Sequence, residues 1–256
     1  MQPPAHTIDA FHRGGFFLAQ PKGAGHRAGM DALMLAAAVP SDFSGTLADF
    51  GSGAGAAGLA VASRCAGATI TLVERSSKMA QFAMATLALP QNAHLAGRAS
   101  LLTADVTLSG TSRQAAGLAD NSFDFVIMNP PFNAKQDRQT PDGLKKSAHV
   151  MEDELFERWV RSAAAVLRPK GHLAIIARPV SLVPLLAAFG KRFGNAEIAP
   201  VHPRADAAAI RIIVRARRGV RGALALLPPL VLHEADGRFT ARAEAIGDGK
   251  ASLFEN

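Results

Sequence analysis

The stretch DFVIMNPPFN, residues 124–133, places an amide, two prolines and an aromatic ring directly after an apolar run. The apolar run is typical of a buried strand, and consecutive prolines end it because proline has no N–H donor and a fixed φ. The amide of Asn129, the carbonyl of Pro130 and the ring of Phe132 are therefore expected in a stiff loop at a strand end. Two hydrogen-bond acceptors beside a flat aromatic ring could bind and orient a planar amino group.

An exocyclic amino nitrogen is a poor nucleophile because its lone pair is delocalised into the attached ring. If both of its N–H groups donate hydrogen bonds to fixed acceptors, the nitrogen becomes more pyramidal and its lone pair can point at an electrophile. Such an enzyme works through alignment and preorganised dipoles and needs no strong base. The candidate catalytic residues are Asn129, Pro130, Pro131 and Phe132. A rigid turn that carries a core phenylalanine is the alternative interpretation.

A glycine-rich stretch, ADFGSGAGAAGLA, follows an earlier predicted strand and precedes a predicted helix. Gly51, Gly53 and Gly55 permit positive φ and let a ligand approach the backbone, where the N-terminal N–H groups of the helix face it. Glu74 ends the next predicted strand, and a carboxylate there can accept hydrogen bonds from both hydroxyls of a ribose. The pattern indicates a nucleoside site, and a tight turn between strand and helix is the alternative.

Asp49, the acid before the glycines, indicates which class of nucleoside ligand the site would bind. The loop reads G-S-G-A-G, which lacks the G-x-G-x-x-G spacing of NAD-binding loops. Asp49, at the strand tip, would repel a pyrophosphate but suits a cationic amino-acid end such as that of S-adenosylmethionine. Asp105 ends a further strand and could accept from an adenine amino group, although a turn aspartate is the alternative. The candidate cofactor-binding residues are Lys22, Asp49, Gly51, Ser52, Gly53, Gly55, Glu74, Arg75, Asp105, Val106 and Asn129.

The predicted elements that position these loops alternate between strand and helix. Alternation of this kind indicates an α/β fold with a mostly parallel sheet covered on both faces. The chain, 1–256, is expected to form a single domain in which residues 1–15 are loosely ordered and residues 16–45 form a hairpin and a helix. Asp31 is the expected N-cap of that helix, and a long amphipathic helix is predicted over 152–167.

Composition limits the location and the partners. No apolar run reaches the roughly 20 residues of a membrane span, and the first residues lack the pattern of a signal peptide, so a cytoplasmic location is expected. Cys65 is the single cysteine, and the eight histidines lack metal-ligand spacing, so no metal site is expected. The net charge is +7, with eleven Lys or Arg but two acids between Arg168 and Arg221. This excess favours a polyanion partner or a solvated basic surface.

The motifs DFGSGAG and NPPF, together with Glu74 and Asp105, resemble those of class I methyltransferases and their amino-methylating branch. The opening QPKGAGHRAGMDALMLAA resembles that of bacterial tRNA (adenine-N6) methyltransferases of the valine-tRNA position-37 type. The segments VHPR, LPPLVLHEADGRFT and SAHVMEDELFERWV are similar to that family as well. The resemblance extends over residues 16–246, with Phe132 where tyrosine is frequent.

This resemblance implies a Rossmann-like fold with a seven-stranded sheet whose last strand is antiparallel. It also implies S-adenosylmethionine as the cofactor and tRNA as the partner, with Asn129 and Phe132 holding a flipped adenine. Basic residues that follow the NPPF loop, or that end the next strand, are candidate phosphate contacts. These are Lys135, Arg138, Lys145, Lys146 and Arg178.

Three alternatives share some of these features. A protein-glutamine N5 methyltransferase could use the same site because glutamine also offers a planar amide. A guanine-N2 rRNA methyltransferase is a closer alternative among nucleic-acid enzymes. A non-catalytic RNA-binding protein could retain the cofactor fold, although the intact NPPF motif and the strand-end acids argue against it.

Overall fold

The structure is a computed structural model that describes residues 5–22, 27–131 and 142–254. Its strands are β1 (His6–Phe11), β2 (Phe16–Pro21), β3 (Gly45–Phe50), β4 (Ala68–Val73), β5 (Ala99–Leu102), β6 (Phe123–Met128), β7 (Leu167–Ala177), β8 (Phe193–His202), β9 (Arg211–Arg218), β10 (Ala225–Leu226) and β11 (Leu230–Val231). Its α-helices are α1 (Met30–Ala36), α2 (Ala56–Arg64), α3 (Ser77–Leu87), α4 (Gly110–Ala115), α5 (Asp142–Val166), α6 (Leu182–Phe189) and α7 (Ala241–Gly247).

The central sheet has the order β10-β8-β9-β7-β6-β3-β4-β5, and β11 also pairs with β8. Strands β5, β4, β3, β6 and β7 are parallel, whereas β9 lies antiparallel between β7 and β8. The expected α/β methyltransferase fold is confirmed, including the antiparallel last long strand. The expectation of seven strands omitted β10 and β11, two-residue strands that extend the sheet of the described residues to nine.

Both faces of the sheet are buried, which explains the apolar runs of its central strands. Phe125 and Ile127 of β6 face one core cluster, which contains α1, α2 and α7, while Val126 and Met128 face the other, which contains α5 and α6. No helix in the described ranges is both long enough and apolar enough to cross a membrane. Because the parallel strands run the same way, the loops that follow β3, β4, β5 and β6 meet at one sheet edge.

The N-terminal region is more ordered than its composition suggested. Strands β1 and β2 pair antiparallel from His6↔Pro21 to Phe11↔Phe16, so the expectation of a loose segment over residues 1–15 was wrong for residues 6–14. The hairpin is held in place by hydrogen bonds from a residue far away in the sequence. Asn92 accepts from the Phe17 N–H at 2.9 Å and donates to the Phe17 and Thr86 carbonyls, both at 2.8 Å. These bonds join the hairpin to α3.

Two helix boundaries also differ from expectation. Helix α1 begins at Met30 after Gly29, so Asp31 is not its N-cap but lies in the first turn, where it pairs with Arg211. Helix α5 begins at Asp142, ten residues before the predicted start at residue 152. It ends at Val166 because the next residue already pairs with Phe123 of β6, before the chain bulges and realigns.

Replacing Asn92 by alanine is expected to destabilise the protein by about 2 kcal/mol or more, because buried backbone groups of the hairpin would lose their partners. Urea unfolding measures the effect, with the exposed neighbour Gln91→Ala as a control expected to change stability by less than about 0.5 kcal/mol. Equal unfolding midpoints for Asn92→Ala and the wild type would show that this side chain does not hold the hairpin.

Candidate active site

The glycine loop between β3 and α2 adopts a backbone that other residues rarely accept. Gly51 and Gly55 have φ values of 69° and 96°. A Cβ on Gly51 would lie 2.6 Å from Cη2 of Trp159, and one on Gly55 would lie 2.7 Å from Cδ1 of Leu72. The loop therefore packs against the sheet and α5 with no room for side chains at these two positions, and its backbone is left facing the sheet edge.

A cavity of about 670 Å³ lies at this edge. It brings together most of the residues predicted from the sequence, although these come from the loops after five different strands. The predicted residues that line it are Gly51, Gly53, Glu74, Arg75, Asp105, Val106, Asn129, Pro130, Pro131 and Arg178. A second cavity of about 270 Å³ adjoins it and is lined by Asp49 and Ser52, with Asp31 and Asn129 shared between the two.

Glu74 anchors the glycine loop from the end of β4. One carboxylate oxygen accepts from the Gly53 N–H at 2.9 Å, and the other accepts from the Ser76 N–H at 2.7 Å. Each carboxylate oxygen has more than one acceptor direction, so these bonds orient the group without using its full capacity. The side chain lines the larger cavity, where it can accept from ligand hydroxyls.

Asp49 is 2% exposed and lies beneath the glycine loop. Its carboxylate accepts from the Gly58 N–H in the first turn of α2 at 2.8 Å. Burial raises the pKa of Asp49 to about 7, opposed by the Gly58 hydrogen bond and reinforced by the negative charge of Glu74. A carboxylate this costly to ionise would be stabilised by a cation in the smaller cavity that it lines.

Asp105 shapes the far end of the larger cavity. Its Oδ1 atom accepts from both the backbone N–H and the hydroxyl of Thr107 at 2.8 Å, and its Oδ2 lies 3.5 Å from Arg75. Burial alone would raise the pKa of Asp105, but the bonds from Thr107 and the charge of Arg75 outweigh it and lower the pKa. Asp105 is therefore a charged acceptor at neutral pH.

The described part of the NPPF loop, residues 129–131, lines the larger cavity. Asn129 is half-buried and lines both cavities, Pro130 is buried, and Pro131 is exposed. The amide thus lies at the boundary between the glycine loop and the space beyond it. Phe132 lies outside the described residues, so its stacking role stays a prediction.

Sequence reasoning missed the apolar side of the larger cavity. Trp159 and Leu155 of α5 and Met79 of α3 form an apolar wall of the larger cavity. Trp159 is 6% exposed, and its ring covers Gly51. Helical spacing marked Trp159 and Leu155 only as core positions, and the one usable signal was that Trp159 is the single tryptophan. Within the described residues, the Trp159 Nε1 and the Ser52 hydroxyl are buried without a hydrogen-bond partner.

The predicted RNA contacts are placed unevenly. Arg178 lines the larger cavity. Lys22, which was predicted to bind the cofactor, is exposed and is not among the residues that line either cavity. Lys135 and Arg138 lie outside the described residues, as do the side chains of Lys145 and Lys146 on α5.

The basic stretch from Arg168 to Arg221 is less charged in three dimensions than in sequence. Within the described residues, at least five of its eleven cations form ion pairs, and three of the partner acids come from outside the stretch. The pairs are Arg168–Asp124, Arg192–Glu157, Arg204–Asp206, Arg211–Asp31 and Arg215–Glu197. Charge counted along the chain therefore overstates the basic surface.

The family model for the methyltransferase small domain matches residues 27–202, which contain every loop of the two cavities. The chain belongs to the methyltransferase small domain family. A crystal structure of a predicted O-methyltransferase from Agrobacterium tumefaciens is 41% identical, covers 88% of this chain and 99% of that one, and has a TM-score of 0.77.

More distant relatives carry RNA-related names. A tRNA1(Val) (adenine(37)-N6)-methyltransferase of Porphyromonas gingivalis is 27% identical over 60% of this chain and 59% of its own length. One of Bacteroides fragilis is 23% identical over 59% of each chain. The chain thus spans about three fifths of these curated relatives. The T. thermophilus 16S rRNA N2 G1207 methyltransferase, 19% identical with a TM-score of 0.54 over 85% of this chain and 51% of that one, shares the fold.

S-adenosylmethionine is the methyl donor expected for a chain of this methyltransferase family. The residues present fit that cofactor. Glu74 and Asp105 offer acceptors to the ribose and the adenine, the buried Asp49 offers a negative charge to the amino-acid end, and the two glycines leave the loop backbone free of side chains.

Glu74→Ala is expected to weaken S-adenosylmethionine binding by about 1–3 kcal/mol, the scale of a lost hydrogen bond to a charged group. Calorimetry measures the affinity directly. Glu234→Ala is the matched control, because this glutamate is exposed and lines neither cavity, and its loss should leave the affinity unchanged. Equal affinities of Glu74→Ala and the wild type would remove Glu74 from the site.

The raised pKa of Asp49 predicts a pH-dependent affinity for the cofactor. In the free protein the carboxyl is protonated below about pH 7, and a bound cation favours its ionised form. Affinity should therefore rise as the pH rises through about 7, measured below about pH 8, where α-amino groups lose their proton. Asp49→Asn should flatten this rise, and an unchanged pH profile would contradict the assignment.

Proposed function

We propose that this protein transfers the methyl group of S-adenosylmethionine to the N6 amino group of an adenine in tRNA. The observation that carries the proposal is the position of Asn129, which lines both cavities, with Pro130 and Pro131 beside it in the larger cavity. An amide oxygen and a donor-free proline segment there match an amino acceptor. The names of the distant relatives support adenine N6 and tRNA.

The chain contributes orientation rather than a reactive group. The bound cofactor supplies a sulfonium methyl that needs little further activation. Asn129 and the Pro130 carbonyl accept the two amino hydrogens and turn the nitrogen lone pair away from the ring. Hydrophobic walls from Trp159 and Leu155 exclude water from the cavity, which strengthens the dipoles that act on the amino group.

The same geometry argues for an amino acceptor over a hydroxyl acceptor, although one relative is titled a predicted O-methyltransferase. A hydroxyl must lose its proton to a base. The described residues that line the cavities include no histidine or lysine. Each of their acids already has a protein partner: Glu74, Asp49 and Asp105 accept backbone N–H groups, and Asp31 is paired with Arg211.

Two other methyl acceptors are the alternatives to adenine N6. A glutamine side chain would fit the same acceptors, and a guanine N2 amino group would differ only in the shape of its base. The tRNA assignment is favoured because Arg178 lines the acceptor cavity, where a nucleotide would bring a negative charge. A cytoplasmic location, where tRNA is found, belongs to the same proposal.

Transfer of labelled methyl to total tRNA from a strain lacking this protein tests the function. Nucleoside analysis should place the label in N6-methyladenosine. Label in N2-methylguanosine would support the guanine alternative, and label found only on protein would support the glutamine alternative. The Asn129→Ala variant should lower kcat by about 100-fold or more, the scale of a lost preorganised polar group. Its affinity for S-adenosylmethionine should stay close to that of the wild type, and undiminished turnover would exclude Asn129 from catalysis.

A further inference from the structure

The segment that follows the β1–β2 hairpin forms one side of the smaller cavity. Residues 27–32 all line this cavity, and Gln20 of β2 lines it as well. The family model begins at residue 27, so Gln20 reaches the cavity from outside the matched region. Gln20 and residues 27–31 both belong to the opening motif QPKGAGHRAGMD, whose Lys22 is exposed and lines neither cavity.

The side-chain amide of Gln20 connects two parts of the chain. Gln20 is 2% exposed. Its Oε1 accepts from the Ala28 N–H at 2.7 Å, and its Nε2 donates to Asp9 Oδ2 at 2.6 Å. The orientation of the amide is fixed by these partners, because a backbone N–H can only donate and a carboxylate can only accept. The amide therefore joins strand β1 to the backbone of the cavity wall.

Asp9 is the centre of this connection, although it lines neither cavity. The hairpin register places Thr7 opposite Gln20, and Asp9 lies two residues further along β1, on the same face as Thr7. Asp9 Oδ2 also accepts from Arg27 Nη2 at 2.5 Å. Arg27 Nη1 donates to Thr7 Oγ1 at 3.0 Å and to the Pro21 carbonyl at 3.1 Å. The cavity wall is thus attached to the hairpin at residues 27 and 28.

The two attachments differ in strength. The side chains of Arg27 and Asp9 are 45% and 31% exposed, and ion pairs open to solvent contribute little to stability. The bond from the Ala28 N–H to Gln20 is shielded from water, and loss of the acceptor would leave a buried donor without a partner, which is the more costly event. Gln20 is therefore the main attachment.

The smaller cavity suits the amino-acid end of S-adenosylmethionine. Asp49 lines it, and a buried carboxylate is stabilised by a cation such as an ammonium group. Glu74 and Asp105 line only the larger cavity, where they suit the nucleoside. A displacement of residues 27–31 would therefore change the space for the amino-acid end and leave the two acids that face the nucleoside in place.

We propose that Gln20 is a positioning residue for cofactor binding. Its amide attaches residues 27–31 to the β1–β2 hairpin and so shapes the wall beside the amino-acid end of S-adenosylmethionine. The inference rests on that methyl donor and thus on the proposed function. It makes the hairpin part of the cofactor site, although the hairpin precedes the region that the family model matches.

Two nucleoside ligands distinguish the cavities in a calorimetric binding experiment. S-adenosylhomocysteine has the amino-acid end, and methylthioadenosine lacks it. Gln20→Leu should weaken S-adenosylhomocysteine binding by roughly tenfold, the scale of a lost buried hydrogen bond. It should leave the affinity for methylthioadenosine within about twofold, because that ligand needs only the larger cavity.

Variants of Asp9 separate positioning from direct contact with the ligand. Because Asp9 lines neither cavity, Asp9→Ala can act only through the residues that it holds. It should weaken S-adenosylhomocysteine binding less than Gln20→Leu does, and should not affect methylthioadenosine. Asp9→Asn keeps an acceptor oxygen and should bind both ligands like the wild type. If Asp9→Ala keeps the wild-type affinity for S-adenosylhomocysteine while Gln20→Leu loses it, the positioning role is wrong.

Asn92→Ala is the matched control for a loosened hairpin. Asn92 bonds the same hairpin at Phe17 but lines neither cavity, so both affinities should stay at the wild-type values. The proposal is overturned if Asn92→Ala weakens S-adenosylhomocysteine as much as Gln20→Leu does. It is equally overturned if Gln20→Leu weakens both ligands alike, because the effect would then be general.

Failure of the proposed function would look different. If the wild type binds neither ligand, the methyl donor of the proposed function is wrong, and the role of Gln20 falls with it. If the wild type binds both and Gln20→Leu and Asp9→Ala keep its affinities, the role of Gln20 is wrong and the proposed function stands.

Discussion

The cofactor cavity depends on the attachment of one glycine-rich loop to the neighbouring strand. The N–H groups of Gly51 and Ser52 both donate to the Val73 carbonyl, at 2.8 and 3.1 Å, and Glu74 then takes the N–H of Gly53. These bonds extend the β3–β4 pairing beyond the ends of the strands. The loop is thereby fixed against β4, and the N-terminus of α2, Trp159 and the NPPF wall are arranged around it.

This arrangement buries polar groups beside the loop, which costs free energy when they lack partners. Asp49 is buried with a pKa raised to about 7, and the Ser52 hydroxyl and Trp159 Nε1 have no partner within the described residues. Unpaired buried polar atoms are uncommon away from functional sites. Their concentration beside one loop is consistent with a site whose polar groups are matched by a ligand rather than by the protein, and it links the stability of the apo-protein to cofactor binding.

In the proposed function, selectivity for the acceptor depends on the wall opposite the glycine loop. The NPPF loop supplies acceptors, and the ends of β7 and β9 supply cations, so the larger cavity has two chemically different sides. In the proposed function, the amino group of the acceptor lies on the first side. The antiparallel insertion of β9 produces this asymmetry, because it brings the start of β9 to the edge where the parallel strands end.

The fold class, the loop glycines, the strand-end acids and the NPPF motif could all be predicted from the amino-acid sequence, because each depends on local rules. Strand periodicity, positive φ at glycine and the missing N–H of proline can be recognised from neighbouring residues. Which distant groups meet could not be predicted in this way. Trp159 over Gly51, Asn92 beneath the β1–β2 hairpin, and Asp31 beside Arg211 each join residues far apart in the chain. The basic stretch after Arg168 also lost part of its expected charge, because acids from other elements neutralise it. Contacts of this kind depend on strand order and register, which pair residues by position in the sheet rather than by distance along the sequence.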